Sequence, residues 1–264
     1  MKVVSSRDNP TFKELLALAR AARECKRQGR TLLDGPHLVS TYLAHGGVPE
    51  LLVASESGLA RPEVASILAA GRGARSLVLR DTLFRELSGV ANPVGVAAVM
   101  AVPRTDTGPI AGSCVLLDAV QDAGNVGAIL RTAAAAGLRT VVLGPGCAGA
   151  WTPRVLRAAQ GAHFGLSIRE TEDLPTLIEG YDGIVIATVA HGGRSLYEVD
   201  LAGDLAWLFG NEGSGLSPAL SAGRAVRVEI PLAPGCESLN VAAAAAVCLF
   251  EAVRQRLGAK GRKT

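Results

Sequence analysis

Apolar positions along this chain form two alternations of short unbroken runs and helical stripes, separated by one stretch that has neither. The first alternation opens with RDNPTFKELLALARAARECKRQG, where Phe12, Leu15, Leu16 and Ala19 recur at helical spacing. Asp8 or Asn9 can cap this helix, and Pro10 suits its first position, where an N–H has no helical partner anyway. Strand-length runs follow at TLLDG, PELLVAS, RSLVLR and PVGVAAVM, with helical stretches at about 36–45, 61–70 and 81–88. Residues 101–112, AVPRTDTGPIAG, combine two prolines and two glycines with few apolar groups and read as a linker. The alternation then restarts with CVLLDAV, RTVVLG, GIVIATV, AWLFG and AVRVEIPL, and a last helix runs from near Ser238 to near Gly258. Unbroken Val/Ile/Leu runs mark strands covered on both faces, as in a parallel sheet. The pattern predicts an α/β protein with a smaller part over 1–100, a linker over 101–112 and a larger part with a mostly parallel sheet over 113–264.

Composition narrows the class without changing this outline. With 264 residues, 48% hydrophobic and 19% charged, the chain is an ordinary globular one. Aromatics at 4% argue against base stacking as the main mode of nucleic-acid binding. The apolar run VAAAAAVCLF falls short of the ~20 residues that span a bilayer, and MKVVSSRDNP lacks a signal-peptide core. Five cysteines, with no CxxC and no short pairing with histidine, read as reduced cytoplasmic thiols and give no metal site. Net charge is +3, but residues 1–30 hold eight Lys/Arg against three acids, and the final RQRLGAKGRKT holds five basic residues and no acid. Two basic ends suggest a polyanionic partner bound through phosphate contacts. A solvated helix face and a frayed tail account for the same charges equally well.

Four stretches carry candidate chemistry. GPGCAG at 144–149 matches a dinucleotide fingerprint, with Glu170 about twenty residues on. That fold starts its helix inside the glycine motif, whereas here the start signal is Thr152-Pro153, so the stretch reads as a loop. There is no GxxxxGK[ST] either. In LLDAVQDAGNVGAILRTAAAAG a strand ends at Asp118, Gly124 turns the chain, and a helix carries Asn125 and Arg131 on opposite flanks. An arginine on so apolar a helix needs a partner, because an unpaired buried charge is costly. LFGNEGSGLS at 208–217 sets Glu212 among Gly210, Gly213 and Gly215, which permit close backbone approach to a ligand. In IPLAPGCESLNVAAAAA, Ser238 reads as the cap of the last helix and Asn240 as a residue of its first turn. A plain cap explains Ser238 but explains Asn240 poorly, given asparagine's weak helix propensity.

Taken in order and spacing, these residues resemble the three motifs of the SpoU (TrmH-type) family of RNA ribose 2′-O-methyltransferases, in the SPOUT superfamily, and most closely its 23S rRNA members. The first motif, D-x-x-x-D-P-G-N-x-G-x-x-x-R, is met by Asp118, Asp122, Gly124, Asn125, Gly127 and Arg131, with Ala123 where proline is usual. The second, F-G-x-E-x-x-G, is met by Phe209, Gly210, Glu212 and Gly215; the third by Ile230, Pro231, Ser238, Leu239, Asn240 and Val241. WTPRVLRAAQGAHF at 151–164 is similar to the family's link between motifs one and two. NPTFKELLAL, LLDGPHLV and NPVGVAAV resemble a ribosomal-protein-like substrate-binding domain.

The resemblance implies a trefoil-knotted catalytic domain, a homodimer, and S-adenosylmethionine held in the knot. It implies that Thr188, Gly210, Ile230 and Leu239 contact the cofactor, and that Asn125, Arg131, Glu212, Ser238 and Asn240 surround the reacting ribose. The basic N-terminal helix, with Lys13, Arg20, Arg23, Lys26, Arg27 and Arg30, is then an RNA-binding face. A carboxylate in a glycine loop would repel a phosphate, but S-adenosylmethionine carries a sulfonium and no phosphate. His163 and His191 match no catalytic position and read as structural. The expected substrate is 23S rRNA, with transfer RNA as the alternative. A catalytically silent RNA-binding protein is the rival class; loss of Arg131, Glu212 or Asn240 would mark it, and all three are present.

Overall fold

A computed structural model describes residues 3–71, 73–104, 106, 108–171, 173–221 and 223–260. The end of the basic tail, residues 261–264, lies outside them. The chain gathers into two compact units: residues up to 104 together with Trp151–Phe164, and residues 105–150 together with those from 165 on.

The first unit runs β1 (Val3–Val4), α1 (Pro10–Arg20), α2 (Ala22–Gln28), β2 (Arg30–Asp34), α3 (Pro36–Ala44), β3 (Leu51–Ser55), α4 (Pro62–Ala70), β4 (Arg75–Leu79), α5 (Asp81–Leu87) and β5 (Val96–Ala101). Asn9 is the cap of α1, its side chain accepting from the N–H groups of Thr11 and Phe12, and Pro10 takes the first position as expected. The buried stripe is Phe12, Leu15 and Leu18, while Leu16 and Ala19 are only partly covered. The expected single basic helix is two: the backbone turns extended at Ala21 (φ −118°, ψ 104°), and α2 then buries Cys25. The sheet order is β1-β4-β3-β5-β2, with β5 antiparallel to both its neighbours. One face carries Phe12, Leu15, Leu83 and Phe84; the other carries Leu38, Val39, Val64 and Leu156.

In the second unit come β6 (Cys114–Leu117), α6 (Ala123–Ala135) and β7 (Thr140–Leu143). The chain then passes into the first unit as α7 (Pro153–Ala159), where Leu156 joins the core beside Leu33 and Leu38. It returns through β8 (Ser167–Glu170), α8 (Leu174–Glu179), β9 (Ile184–Thr188), β10 (Arg194–Ser195), β11 (Leu205–Phe209), α9 (Pro218–Ser221), β12 (Val226–Glu229) and α10 (Val241–Lys260). The sheet order is β10-β12-β9-β11-β6-β7-β8, and every pairing is parallel. The unbroken runs CVLL, TVVL and LAWLF are buried at every position, as strands covered on both faces must be. α6 and α10 pack together, α10 burying Val241, Ala245, Cys248, Leu249 and Ala252 at helical spacing. Parallel strands put their C-terminal ends along one edge, where ligands bind in open α/β sheets. There the loops after β6, β9, β11 and β12 converge.

Candidate active site

The loops after β9, β11 and β12, with the start of α10, enclose a cleft of about 470 Å³ within the second unit. Thr188, Gly210, Ile230 and Leu239 all line it, with Val189, Phe209, Leu232 and Val241 as apolar wall. The main-chain groups of Gly210, Ile230 and Leu239 form no hydrogen bond among the described residues, so each presents a donor and an acceptor to an occupant. The Thr188 hydroxyl is engaged by the Leu208 carbonyl at 2.6 Å. Glu212 and Glu237 also line the cleft, and no lysine or arginine does.

The glycines of the 208–217 loop have distinct duties. A Cβ on Gly210 would lie 2.3 Å from the Gly215 carbonyl carbon, so here the loop crosses itself at van der Waals contact. Gly215 takes the left-handed conformation at φ 70° and pairs both its N–H and its carbonyl with Asn211 at 2.9 Å. The far end is fastened by Asp118, whose carboxylate accepts from the Ser217 N–H at 2.7 Å.

Beside the cleft, three of the expected ribose-facing residues form a row. Asp122 caps α6 by accepting from the Asn125 N–H at 2.8 Å, which sets Asn125 in the first helical turn. Asn125 Nδ2 donates to Glu212 Oε1 at 2.8 Å, and Asn125 Oδ1 accepts from Asn240 Nδ2 at 2.9 Å. An ionised carboxylate only accepts, so Glu212 fixes the orientation of both amides. Asn240 Oδ1 then faces the N–H groups of Ala242 and Ala243 at 3.0 and 3.2 Å. Asn240 is therefore the N-cap of α10, and the expectations that Ser238 caps this helix and that Asn240 lies in its first turn are corrected. At the cap, weak helix propensity carries no cost. Ser238 lies upstream in the loop and lines the cleft. Asn240→Ala is expected to cost about 1 kcal/mol of stability through the lost cap and to unfasten Asn125. A denaturant midpoint equal to wild type would contradict this.

Arg131 is not buried, as the helix pattern suggested, but exposed, and it forms no ion pair among the described residues. It stands six residues beyond Asn125 on α6, roughly 9 Å along the axis at helical rise, outside the row. Gly124 is not the turn of the motif; the chain turns at Ala119, at φ 54°, and Gly124 belongs to α6. Ala123 occupies the first helical position, where the usual proline would also fit. Beneath the turn lies the glycine loop 144–149, with Gly146 against Ala119 and the Ala148 N–H on the Val120 carbonyl at 2.9 Å. The dinucleotide-like stretch is thus a buttress, and α7 begins at Pro153 after Thr152, as its start signal indicated.

Other candidates distribute unevenly. His191 lines the cleft and His163 is buried against Trp151. Burial pushes the Cys248 thiol, in the cleft wall, up to about 12, so no thiolate nucleophile stands there at neutral pH. Of the expected basic face, Arg30 belongs to β2 rather than to a helix and pairs with Glu14 and Glu50. Lys13 pairs with Asp8, Arg20 with Glu86 and Arg27 with Glu24, which leaves Arg23 and Lys26 without ion pairs among the described residues. The roles of Asp118 and Asn211 in shaping the loop escaped sequence reasoning. An Asx residue two positions before a glycine, able to bond the backbone ahead of it, was the available signal.

Known proteins share both units. Residues 112–250 match the SpoU rRNA Methylase family, and residues 9–98 match the MRM3-like substrate binding domain. The 23S rRNA (guanosine(2553)-2′-O)-methyltransferase RlmP of Bacillus subtilis is 34% identical over 254 residues, covering 95% of this chain and 98% of that protein. An uncharacterized tRNA/rRNA methyltransferase of Synechocystis sp. is 34% identical over 262 residues, covering 97% of this chain and 95% of that protein. Among solved structures, the SpoU methyltransferase AviRb from Streptomyces viridochromogenes, in complex with AdoMet, is similar with a TM-score of 0.85 at 26% identity, over 95% of this chain and 100% of that chain. The family match covers every residue of the cleft and of the polar row, and the chain belongs to the SpoU rRNA methylase family.

Proposed function

We propose that this chain transfers a methyl group from S-adenosylmethionine to a ribose 2′-hydroxyl of 23S rRNA. The observation that carries the reading is the Glu212–Asn125–Asn240 row standing at the rim of a cleft built from motif residues. The cleft suits the cofactor. Its volume is that of a nucleoside-sized site, with apolar walls and free main-chain groups for a base. Two carboxylates and no lysine or arginine favour a sulfonium over the phosphates of a dinucleotide.

When bound, S-adenosylmethionine supplies the electrophilic methyl group. The protein's share is to orient the ribose and remove the hydroxyl proton. Glu212 accepts from Asn125 through one oxygen, and its other oxygen makes no hydrogen bond among the described residues, so it can take the 2′-OH proton. Asn125 and Asn240 hold that carboxylate in place. Arg131 serves the target phosphate as a fixed positive charge, since a guanidinium offers donors and no acceptor.

On the same reading the second unit is trefoil-knotted and the protein works in the cytoplasm as a homodimer. The exposed Phe250 and Leu257 of α10 are apolar surface that a second copy covers. No helix among the described residues is long and apolar enough to cross a membrane. RNA affinity from the first unit rests on Arg23 and Lys26 more than on Arg30, whose charge is already spent on Glu14 and Glu50. Replacing Arg23 and Lys26 with alanine is expected to lower both RNA affinity and its salt dependence. An unchanged salt slope places recognition elsewhere.

The deciding experiment maps 2′-O-methylation across ribosomal and transfer RNA in a strain lacking the protein. One 23S position is expected to lose its methyl group. A loss confined to transfer RNA moves the substrate, and no loss with intact RNA binding favours the silent-protein class. Calorimetry with S-adenosylmethionine against NAD tests the cofactor independently.

A further inference from the structure

The loop that carries Glu212 has little in its own sequence to hold it still. Three glycines surround the acid, each costing more backbone entropy to order than any other residue. Glu212 itself is exposed and hydrogen-bonds only to Asn125 among the described residues. Its neighbour Asn211 has every polar atom engaged. The main chain pairs twice with Gly215. Oδ1 accepts from the N–H of Gly213 at 2.9 Å, the N–H of Ser214 at 3.0 Å and the Ser214 hydroxyl at 3.2 Å. Nδ2 donates to the Ala119 carbonyl at 2.8 Å.

That last bond leaves the loop and reaches the turn after β6. The turn is a firm anchor: Ala119 is in the left-handed region, Gly146 packs against it, and the next residue is bonded to Ala148. The same segment runs directly into the cap of α6 and Asn125. Asn211 therefore ties the loop bearing the carboxylate to the frame bearing its amide partner.

We infer that Asn211 is a positioning residue for methyl transfer, acting on the reaction only through the placement of Glu212. The inference rests on Glu212 as the proton acceptor proposed above.

The test compares wild type, Asn211→Ala, Glu212→Gln and the double variant in single-turnover methylation of 23S rRNA over a range of pH. S-adenosylmethionine affinity and melting temperature are measured alongside. Asn211→Ala is expected to slow transfer about ten- to a hundredfold, the scale of a misplacement near 1 Å, with cofactor affinity nearly unchanged. Its pH profile should flatten towards that of Glu212→Gln. In the Glu212→Gln background the same change should cost nothing further, because the two act as one unit. Equal losses in both backgrounds, or a loss explained wholly by weaker cofactor binding, overturn the inference. If Glu212→Gln itself keeps the wild-type rate and profile, the proton-acceptor reading fails instead. Asn211→Asp keeps the acceptors for Gly213 and Ser214, loses the donor to Ala119 and adds a charge beside Glu212. It repeats the test should the alanine variant fold poorly, with the same non-additivity expected.

Discussion

Glu212→Gln lowers the rate of methyl transfer about a hundredfold or more, the scale of a lost general base, and flattens its rise with pH. The prediction follows from the division of labour within one side chain. Glutamine retains an oxygen for Asn125 Nδ2, so the row from Glu212 to Asn240 and the cap of α10 persist. What vanishes is an oxygen able to take a proton. S-adenosylmethionine affinity should stay close to wild type, because Gly210, Ile230 and Leu239 offer main-chain groups that the change leaves alone. Single-turnover rates across pH, with calorimetry of the cofactor, give both numbers. A wild-type pH profile in this variant would remove Glu212 from proton transfer.

Arg131→Ala abolishes most activity, by about 10²–10³-fold, whereas Arg131→Lys leaves a measurable rate with a pH profile that still rises. A guanidinium is too weak an acid to cycle as a base near neutrality, but its charge stabilises a developing alkoxide and grips a phosphate. Lysine keeps the charge and loses the bidentate fork. Arg131 is exposed and forms no ion pair among the described residues, so the site is also expected to need a second copy beside it. Sedimentation should find a dimer at micromolar concentration, and a stable, active monomer would contradict that part. If Arg131→Lys is dead while Glu212→Gln keeps the wild-type pH profile, the roles are reversed.

Much of the fold was readable because buried parallel strands announce themselves. CVLL, TVVL and LAWLF are apolar at every position but Thr140, and buried at every position. β1, β8 and β10 were not readable: two are residue pairs, and SIRE carries charge on a short edge strand. The break at Ala21 has no glycine or proline to signal it. For the site, motif spacing brought forward the right neighbourhood, but contacts across 87 and 115 residues, Asn125 to Glu212 and Asn125 to Asn240, belong to the sheet order. Asn240 has poor helix propensity, and the same chemistry makes asparagine a good cap, which places it at the helix boundary rather than in the first turn. Charge counting also overstated the basic N-terminal face, because Arg30 meets Glu14 and Glu50 only once the strand is formed.

The passage of Trp151–Phe164 into the first unit governs how this protein is synthesised and inherited. On the ribosome, residues up to 104 emerge with a gap in their core where Leu156 belongs, and the gap closes only after Phe164 has been made. Until then the emerging chain holds an unfilled apolar socket, with Leu33, Leu38 and Met100 among the groups awaiting a partner. A cut at residue 104 therefore parts the first unit from Leu156, and a second unit expressed alone carries Leu156 away from Leu33 and Leu38. Recombination between relatives meets the same constraint. A new substrate-binding unit grafted at the linker fits only if 151–164 travels with it, so two distant parts of the gene must change together.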